Sequence, residues 1–263
     1  MRRAQRLVAG AARAYVVRFP IARGKGFVVR TVAPRLPVED REFEAAVPGG
    51  GTVVLRWDEV VGRHVLRHRG FELPEVTAAR ARISPGDVVL DVGANVGLVT
   101  IPLALAAGAT GRVIAVEPLH ENIERLERNV EANGLSNVTV VEAAAGVEDG
   151  EIELNVAGDP AFASIDTITK HRATGTRIVT CRGLDSLWAE FGRPRVALVK
   201  VDVEGAELLV LDGAAELLRT CRPVLLVEAD PGDAAAAVAA HLADYAETTP
   251  AGFSPVNHLF EPR

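Results

Sequence analysis

Long hydrophobic runs, cysteine and aromatic residues are all scarce in this chain, and each scarcity excludes something. No apolar stretch approaches the ~18 residues that span a bilayer, so no membrane-spanning helix is expected. The only cysteines are Cys181 and Cys221. Two cysteines make neither a disulfide framework nor a ligand-spaced metal cluster. They read as small buried hydrophobes in a reducing compartment, which points to the cytoplasm, with a single disulfide left open. Aromatics make up 5% of the 263 residues, so platforms for stacking nucleic-acid bases are scarce.

Acid is missing from the amino end, where the first acidic residue is Glu39. Of 29 lysines and arginines, nine lie in residues 1–38. That leaves 20 against all 35 acids in residues 39–263, a net of −15 hidden within the chain's −6. An acidic body argues against nucleic-acid binding through that body. The basic arm has three functional readings: an anionic membrane surface, an acidic partner, or a targeting peptide. Arg13 and Arg18 interrupt any secretory apolar segment. The plainer reading is a solvated arm, or one packed on the acidic body.

What is present is ordinary globular composition, 48% hydrophobic and 24% charged. Residues up to about 50 are broken by Pro20, Pro34, Pro37 and Pro48-Gly-Gly-Gly51. Residues 52–56 predict a strand and 72–83 a helix. A regular alternation follows: strand 87–91, helix 97–107, strand 112–116, helix 121–133, strand 137–141. Residues 146–193 interrupt it, with strands expected at 151–156 and 177–180 and a loop at 157–175. Strand 196–202, helix 205–218, strand 223–228, helix 232–244 and a last strand at 258–261 complete the pattern. Strands alternating with helices predict an α/β fold whose mostly parallel sheet is covered on both faces.

The most informative stretch is Asp91-Val-Gly-Ala-Asn-Val-Gly97, a glycine turn between a buried strand and a helix. An acid, Glu117, ends the next strand and is placed to accept hydrogen bonds from a ribose diol. Gly93 and Gly97 lack the Cβ that would block a ligand's approach. The helix N-terminus beyond them favours a negative group. NAD and S-adenosylmethionine both fit this much, and the glycine spacing separates them. A dinucleotide fingerprint needs glycine at 93, 95 and 98, and this chain has Gly93, Asn95 and Leu98. The Asn95 amide instead suits the amino-acid end of S-adenosylmethionine. Neither Tyr15 nor Tyr245 has the lysine four residues on that a short-chain dehydrogenase would need.

Further motifs occur in order: Val-Glu-Pro118, Asn-Gly-Leu-Ser-Asn-Val138, Lys-Val-Asp-Val-Glu-Gly-Ala-Glu207 and Arg-Pro-Val-Leu-Leu-Val-Glu228, with Phe71-Glu72 upstream. With the glycine turn, this set resembles the FkbM family of S-adenosylmethionine-dependent methyltransferases over about residues 60–230. The resemblance implies a class I, Rossmann-like methyltransferase fold with seven strands. It also implies O-methylation of a sugar, polyketide or similar secondary metabolite. The expected organisation is a basic arm or cap over 1–50 and a methyltransferase domain over 51–263, with an insertion at about 146–193. Pro102 falls inside the first helix, which must then start late or kink.

For the donor, Glu117 is expected at the ribose and Gly93, Asn95 and Gly97 around the methionine part, with Asp91 also counted among the cofactor-binding residues. Glu142, Ala143 and Ala144 are expected to border the adenine. Glu72 is carried over from the family's upstream motif to the methionine ammonium group. For the chemistry, Lys200, Asp202 and Glu204 fall at i, i+2 and i+4, on one face if the strand continues. Three charges at the end of a buried parallel strand break its expected apolar pattern, as functional sites tend to. Asp202 is the first choice of general base, Glu204 its assistant, and Lys200 the counter-charge for Asp91 or Asp202. His64 and His68 are further candidates for an acceptor pocket. Two close carboxylates can bind magnesium, but no third ligand is visible and no metal is expected. The expected partner is a small-molecule or glycan hydroxyl, with no nucleic acid; self-association into a homo-oligomer is left open. A nucleic-acid or protein methyltransferase on the same fold, or a cofactor-binding module without turnover, are the competing readings. Against the first, Asp202-Val-Glu-Gly205 stands where base methylation usually needs an Asn/Asp-Pro-Pro-Tyr/Phe loop.

Overall fold

The computed structural model describes residues 31–68, 73–157, 163–164 and 173–263, together with 7–8, 10–12, 14–15 and 28. Two 3-10 turns, Ala33–Arg35 and Glu39–Arg41, lead into an antiparallel hairpin of β1 (Glu42–Ala46) and β2 (Thr52–Arg56). Helices α1 (Val60–His68) and α2 (Leu73–Arg80) follow. The alternation then runs β3 (Val88–Val92), α3 (Thr100–Ala107), β4 (Arg112–Glu117), α4 (His120–Ala132) and β5 (Val138–Glu142). Next come β6 (Ala144–Gly146), β7 (Gly150–Ala157), β8 (Ala163–Ser164), β9 (Ala173–Gly183) and α5 (Leu184–Glu190). The chain closes through β10 (Val196–Val201), α6 (Glu207–Asp212), α7 (Ala215–Cys221), β11 (Val224–Glu228), α8 (Asp233–His241), β12 (Tyr245–Glu247) and β13 (Asn257–Pro262).

Seven strands form the main sheet in the order β5-β4-β3-β10-β11-β13-β12. The pairs from β5 to β11 are parallel, while β13 runs antiparallel to both β11 and β12. The chain winds outward from β3 to β5 and then returns to β10 on the other side of β3. The carboxyl ends of β3 and β10 therefore flank the switch point where open α/β sheets bind ligands. Alternation along each strand sends Leu90, Val92, Val199 and Val201 into the core shared with α5–α8. Val89, Val113 and Leu198 point the other way, towards α2 and α3. Asp91 and Lys200 share the parity of Val89 and Leu198, and the register sets them directly beside each other. Among the described residues no helix is long and apolar enough to cross a membrane. Cys181 and Cys221 are both free.

Several elements differ from the sequence expectation for identifiable reasons. β1 pairs with β2 across residue 50, so the expected boundary between arm and domain falls inside a hairpin. Helix α3 starts at Thr100, which leaves Pro102 in the first turn, where a missing N–H costs least. The segment expected as an insertion builds a second sheet, β6-β9-β7-β8. Of the loop expected at 157–175, residues 158–162 and 165–172 lie outside the described residues. The single helix expected over 205–218 is split into α6 and α7 at Gly213 and Ala214. The Asp185 carboxylate caps α7 from outside, accepting from Glu216 N–H at 2.8 Å and Leu217 N–H at 2.7 Å. Asp185 N–H in turn donates to the Gly213 carbonyl at 2.8 Å.

A Cβ at Gly213 would overlap the backbone carbonyl of Gly146. Gly213→Ala is therefore expected to cost about 2–4 kcal/mol by overpacking rigid backbone. Asp185→Ala is expected to cost about 1 kcal/mol as a lost cap. Urea unfolding of the two variants checks both size and order.

Candidate active site

The glycine turn links β3 to α3 in left-handed conformations, with φ of +78° at Gly93, +50° at Asn95 and +94° at Gly97. Asparagine tolerates this region better than most side chains, and here it aims a donor. The Asn95 N–H donates to Glu117 Oε2 at 2.9 Å. Glu117 Oε1 accepts from Leu119 N–H at 3.1 Å and from Asn122 Nδ2 at 3.0 Å. The carboxylate is buried, and burial pushes its pKa above the usual carboxylate range against the pull of those donors and of Lys200. An ionised carboxylate has about four lone-pair sites, so Oε2 keeps acceptor capacity beside Asn95.

The glycines have a protein-internal reason as well as a ligand-side one. A Cβ at Gly93 would strike the Asp202 carbonyl, and one at Gly97 would press on the Leu126 side chain. Gly93 thus lets the end of β10 pack against the turn. Across that contact lies the main charge cluster. Lys200 Nζ is buried and donates to the Gly93 carbonyl at 2.8 Å. It sits 3.1 Å from Asp202 Oδ2 and 3.5 Å from Asp91 Oδ1. Asp91 is fully buried, and its Oδ2 accepts from Thr100 Oγ1 at 2.5 Å. Its Oδ1 makes no hydrogen bond, so Lys200 balances it by charge alone.

Two expectations change here. Asp91 was expected among the residues that bind the cofactor. Its carboxylate instead faces Thr100 and Lys200 with no exposed surface, so it holds the turn from behind. Lys200, Asp202 and Glu204 were expected on one face of a continuing strand. β10 ends at Val201, and the chain turns through Glu204 and Gly205 with φ of +54° and +103°. Lys200 and Asp202 stay together, while the turn carries Glu204 to the exposed surface. That turn is tied down by Glu207, whose Oε1 accepts from Gly205 N–H at 2.9 Å. Burial raises the Glu207 pKa, and the nearby Asp202 charge adds to the rise.

Glu142 pairs in register with Glu117 at the adjacent strand end, and its exposed carboxylate lies 3.4 Å from His120 Nδ1. The Ala143 N–H donates to the Glu117 carbonyl at 3.1 Å. Ala144 is buried and turns away into β6. His64 is exposed on α1. Glu72 and the side chain of His68 lie outside the described residues. Sequence reasoning missed Thr100, Asn122 and Asn129. A signal existed for the asparagines: Asn122, Asn129 and Asn133 stand at i, i+7 and i+11 beside the apolar stripe of α4.

The residues present fit S-adenosylmethionine. Gly93, in the turn ahead of α3, is half-buried and carries no Cβ to block a ligand. The half-buried Asn95 and the residual acceptor of Glu117 stand beside it. Among the described residues no cluster of side chains could hold a metal ion.

Comparisons with known proteins bear on the same residues. The family model described as Methyltransferase FkbM domain matches residues 91–246. AMB antimetabolite synthetase AmbE of Pseudomonas aeruginosa is 31% identical over an alignment of 195 residues that covers 59% of this chain and 9% of that protein. Ribosomal RNA small subunit methyltransferase G of Mycolicibacterium smegmatis is 38% identical over 119 residues, 43% of this chain and 45% of that protein. The chain thus spans less than half the length of either relative. Among solved structures, methyltransferase FkbM from Methylobacillus flagellatus is similar at a TM-score of 0.47 and 18% identity, over 90% of this chain and 60% of that one.

The raised pKa of Glu117 sets a pH dependence. If Glu117 receives the ribose of a bound donor, its hydroxyls donate to the ionised carboxylate, and protonation removes an acceptor. S-adenosylmethionine affinity should fall as pH is lowered through the Glu117 pKa, starting above the range of an ordinary glutamate. Calorimetry across a pH series checks this, and Glu117→Gln should bind weakly with that dependence gone.

Proposed function

Because the chain belongs to the FkbM family of S-adenosylmethionine-dependent methyltransferases, we propose that it methylates a hydroxyl group on a small metabolite or glycan. The observation that carries this reading is the Lys200 bridge. One ammonium group engages the Gly93 carbonyl of the donor turn at 2.8 Å and the Asp202 carboxylate at 3.1 Å. It ties the proposed base to the proposed donor site. S-adenosylmethionine, when bound, supplies an electrophilic sulfonium methyl group.

The chain's own residues have three tasks. Gly93, Asn95 and Gly97 receive the amino-acid end of the donor, and Glu117 receives its ribose. Asp202 takes the proton of the acceptor hydroxyl, a step worth ~10²–10⁴-fold for a poor nucleophile. Lys200 engages Asp202 Oδ2 and so orients the carboxylate, which retains Oδ1 as a second acceptor. Much of the remaining rate comes from holding the hydroxyl in line with the methyl group.

A small acceptor is supported by the acidic body and by the match to an antimetabolite synthetase. An RNA acceptor is the second reading, favoured by the match to a ribosomal RNA methyltransferase. The acidic charge and scarce aromatics count against it. Labelled S-adenosylmethionine offered with pooled hydroxylated metabolites, with glycans and with ribosomal RNA separates the two. Label entering only RNA overturns the first reading. Binding without product from any pool points to a module without turnover.

Two substitutions divide the labour. Glu117→Ala should weaken donor binding by about tenfold or more, as loss of hydrogen bonds to a charged group does. Asp202→Asn should bind the donor normally and lose ~10²–10⁴-fold in turnover. Full activity in Asp202→Asn would move the base elsewhere.

A further inference from the structure

The amino-terminal hairpin lies outside the family-matched residues, yet the donor turn is packed into it. Val96 and Leu98 of the turn share a buried cluster with Val53, Leu55 and Trp57 of the hairpin segment. Leu98 stands where a dinucleotide fingerprint would carry glycine. Its side chain is used to join the turn to the hairpin. A polar link runs beside this apolar one. Asn129 of α4 is buried, and its Oδ1 accepts from the Val54 N–H on the open edge of β2 at 2.9 Å. Its Nδ2 donates to the Val96 carbonyl in the turn at 2.8 Å. One partner is a donor and the other an acceptor, so the orientation of the amide follows from its surroundings. Val96 adjoins Asn95, whose N–H engages Glu117.

Asn133, one helical turn further on, provides an internal comparison. Its Oδ1 accepts from Thr52 N–H at 2.9 Å and its Nδ2 donates to the Thr52 carbonyl at 2.6 Å. Its other partner is the Asn129 carbonyl within α4. Asn133 therefore holds the hairpin without touching the turn. We infer that Asn129 is a positioning residue through which the amino-terminal hairpin holds the methyl-donor turn in its binding geometry. The inference rests on the donor-site reading above. It extends the working site beyond the family-matched segment to residues 52–57.

The test compares Asn129→Asp with Asn133→Asp in the full chain. At position 129 an aspartate keeps the acceptor for Val54 N–H and turns a second acceptor towards the Val96 carbonyl, so the turn must shift. Hydrogen–deuterium exchange without ligand should show residues 93–98 exchanging faster in Asn129→Asp and unchanged in Asn133→Asp. Calorimetry with S-adenosylmethionine should show about 10-fold or greater loss of affinity in Asn129→Asp and about twofold or less in Asn133→Asp. On any active acceptor, KM for the donor should rise while kcat stays within about threefold. Wild-type exchange at 93–98 in Asn129→Asp overturns the inference, as does an equal loss of affinity in both variants. If Asn129→Asp does not fold, Leu98→Ala probes the same junction through packing, and wild-type exchange at 93–98 there also overturns it. A wild-type protein that fails to bind S-adenosylmethionine overturns the donor-site reading, while the ligand-free exchange comparison still decides the link.

Discussion

Everything at the carboxyl edge of the main sheet is arranged around one buried ammonium group. Lys200 Nζ lies among the carboxylates of Asp91 and Asp202 and the carbonyl of Gly93. Taking charges out of water costs several kcal/mol each, and removing one member of a buried pair leaves the others uncompensated. The parallel register of β3 and β10 places Asp91 beside Lys200, so the pairing is a consequence of the sheet. The end of β10 can then press against the turn only because Gly93 lacks a side chain. The glycine turn and the loop that follows β10 are in this way two surfaces of one electrostatic unit.

The second strand end shows a different economy. Glu117 is buried and carries three hydrogen bonds from its own chain. Burial raises its pKa and those donors pull it back. The carboxylate is thereby held beside Asn95 by its own chain, so a ligand bound there would meet a preorganised acceptor. Helix α4 supplies this support from one stripe. Asn122 reaches Glu117, Asn129 reaches the turn and β2, and Asn133 reaches β2 alone. Side-chain amides on α4 thus occupy the open edge of β2, a place where exposed strands otherwise invite mispairing.

Much of the site was legible along the chain because its signals are local. A buried strand followed by Gly93, Asn95 and Gly97 announces a glycine turn, and the structure builds it with left-handed backbone at all three positions. An acid ending the next apolar run announces Glu117. Lys200 and Asp202 stood out as charges where a buried strand should be apolar. Glu204 was misplaced because the i, i+2, i+4 argument holds only while the strand lasts, and β10 stops at Val201. β1 and α1 went unread because a breaker-rich segment and a run of basic residues hide their periodicity. Thr100 was invisible as a site residue, and the spacing of Asn122, Asn129 and Asn133 marks a stripe on α4 without telling which distant carboxylate or carbonyl each one meets.

The alternation of strands and helices from β3 to β5, the glycine turn and the acids at the strand ends were determined by sequence alone, because each depends on neighbours within a few residues. Only the tertiary structure decided that Asp91 serves the turn from behind, that Glu204 leaves the strand face, and that the amino-terminal hairpin reaches the donor turn through Val96, Leu98 and Asn129. Those outcomes depend on strand register, strand length and the packing of segments distant along the chain, 33 residues apart in the Val96–Asn129 bond and 75 in the Val54–Asn129 bond. No local pattern encodes such distances; they are set when the sheet closes and the hairpin finds the one helix whose asparagines match its edge.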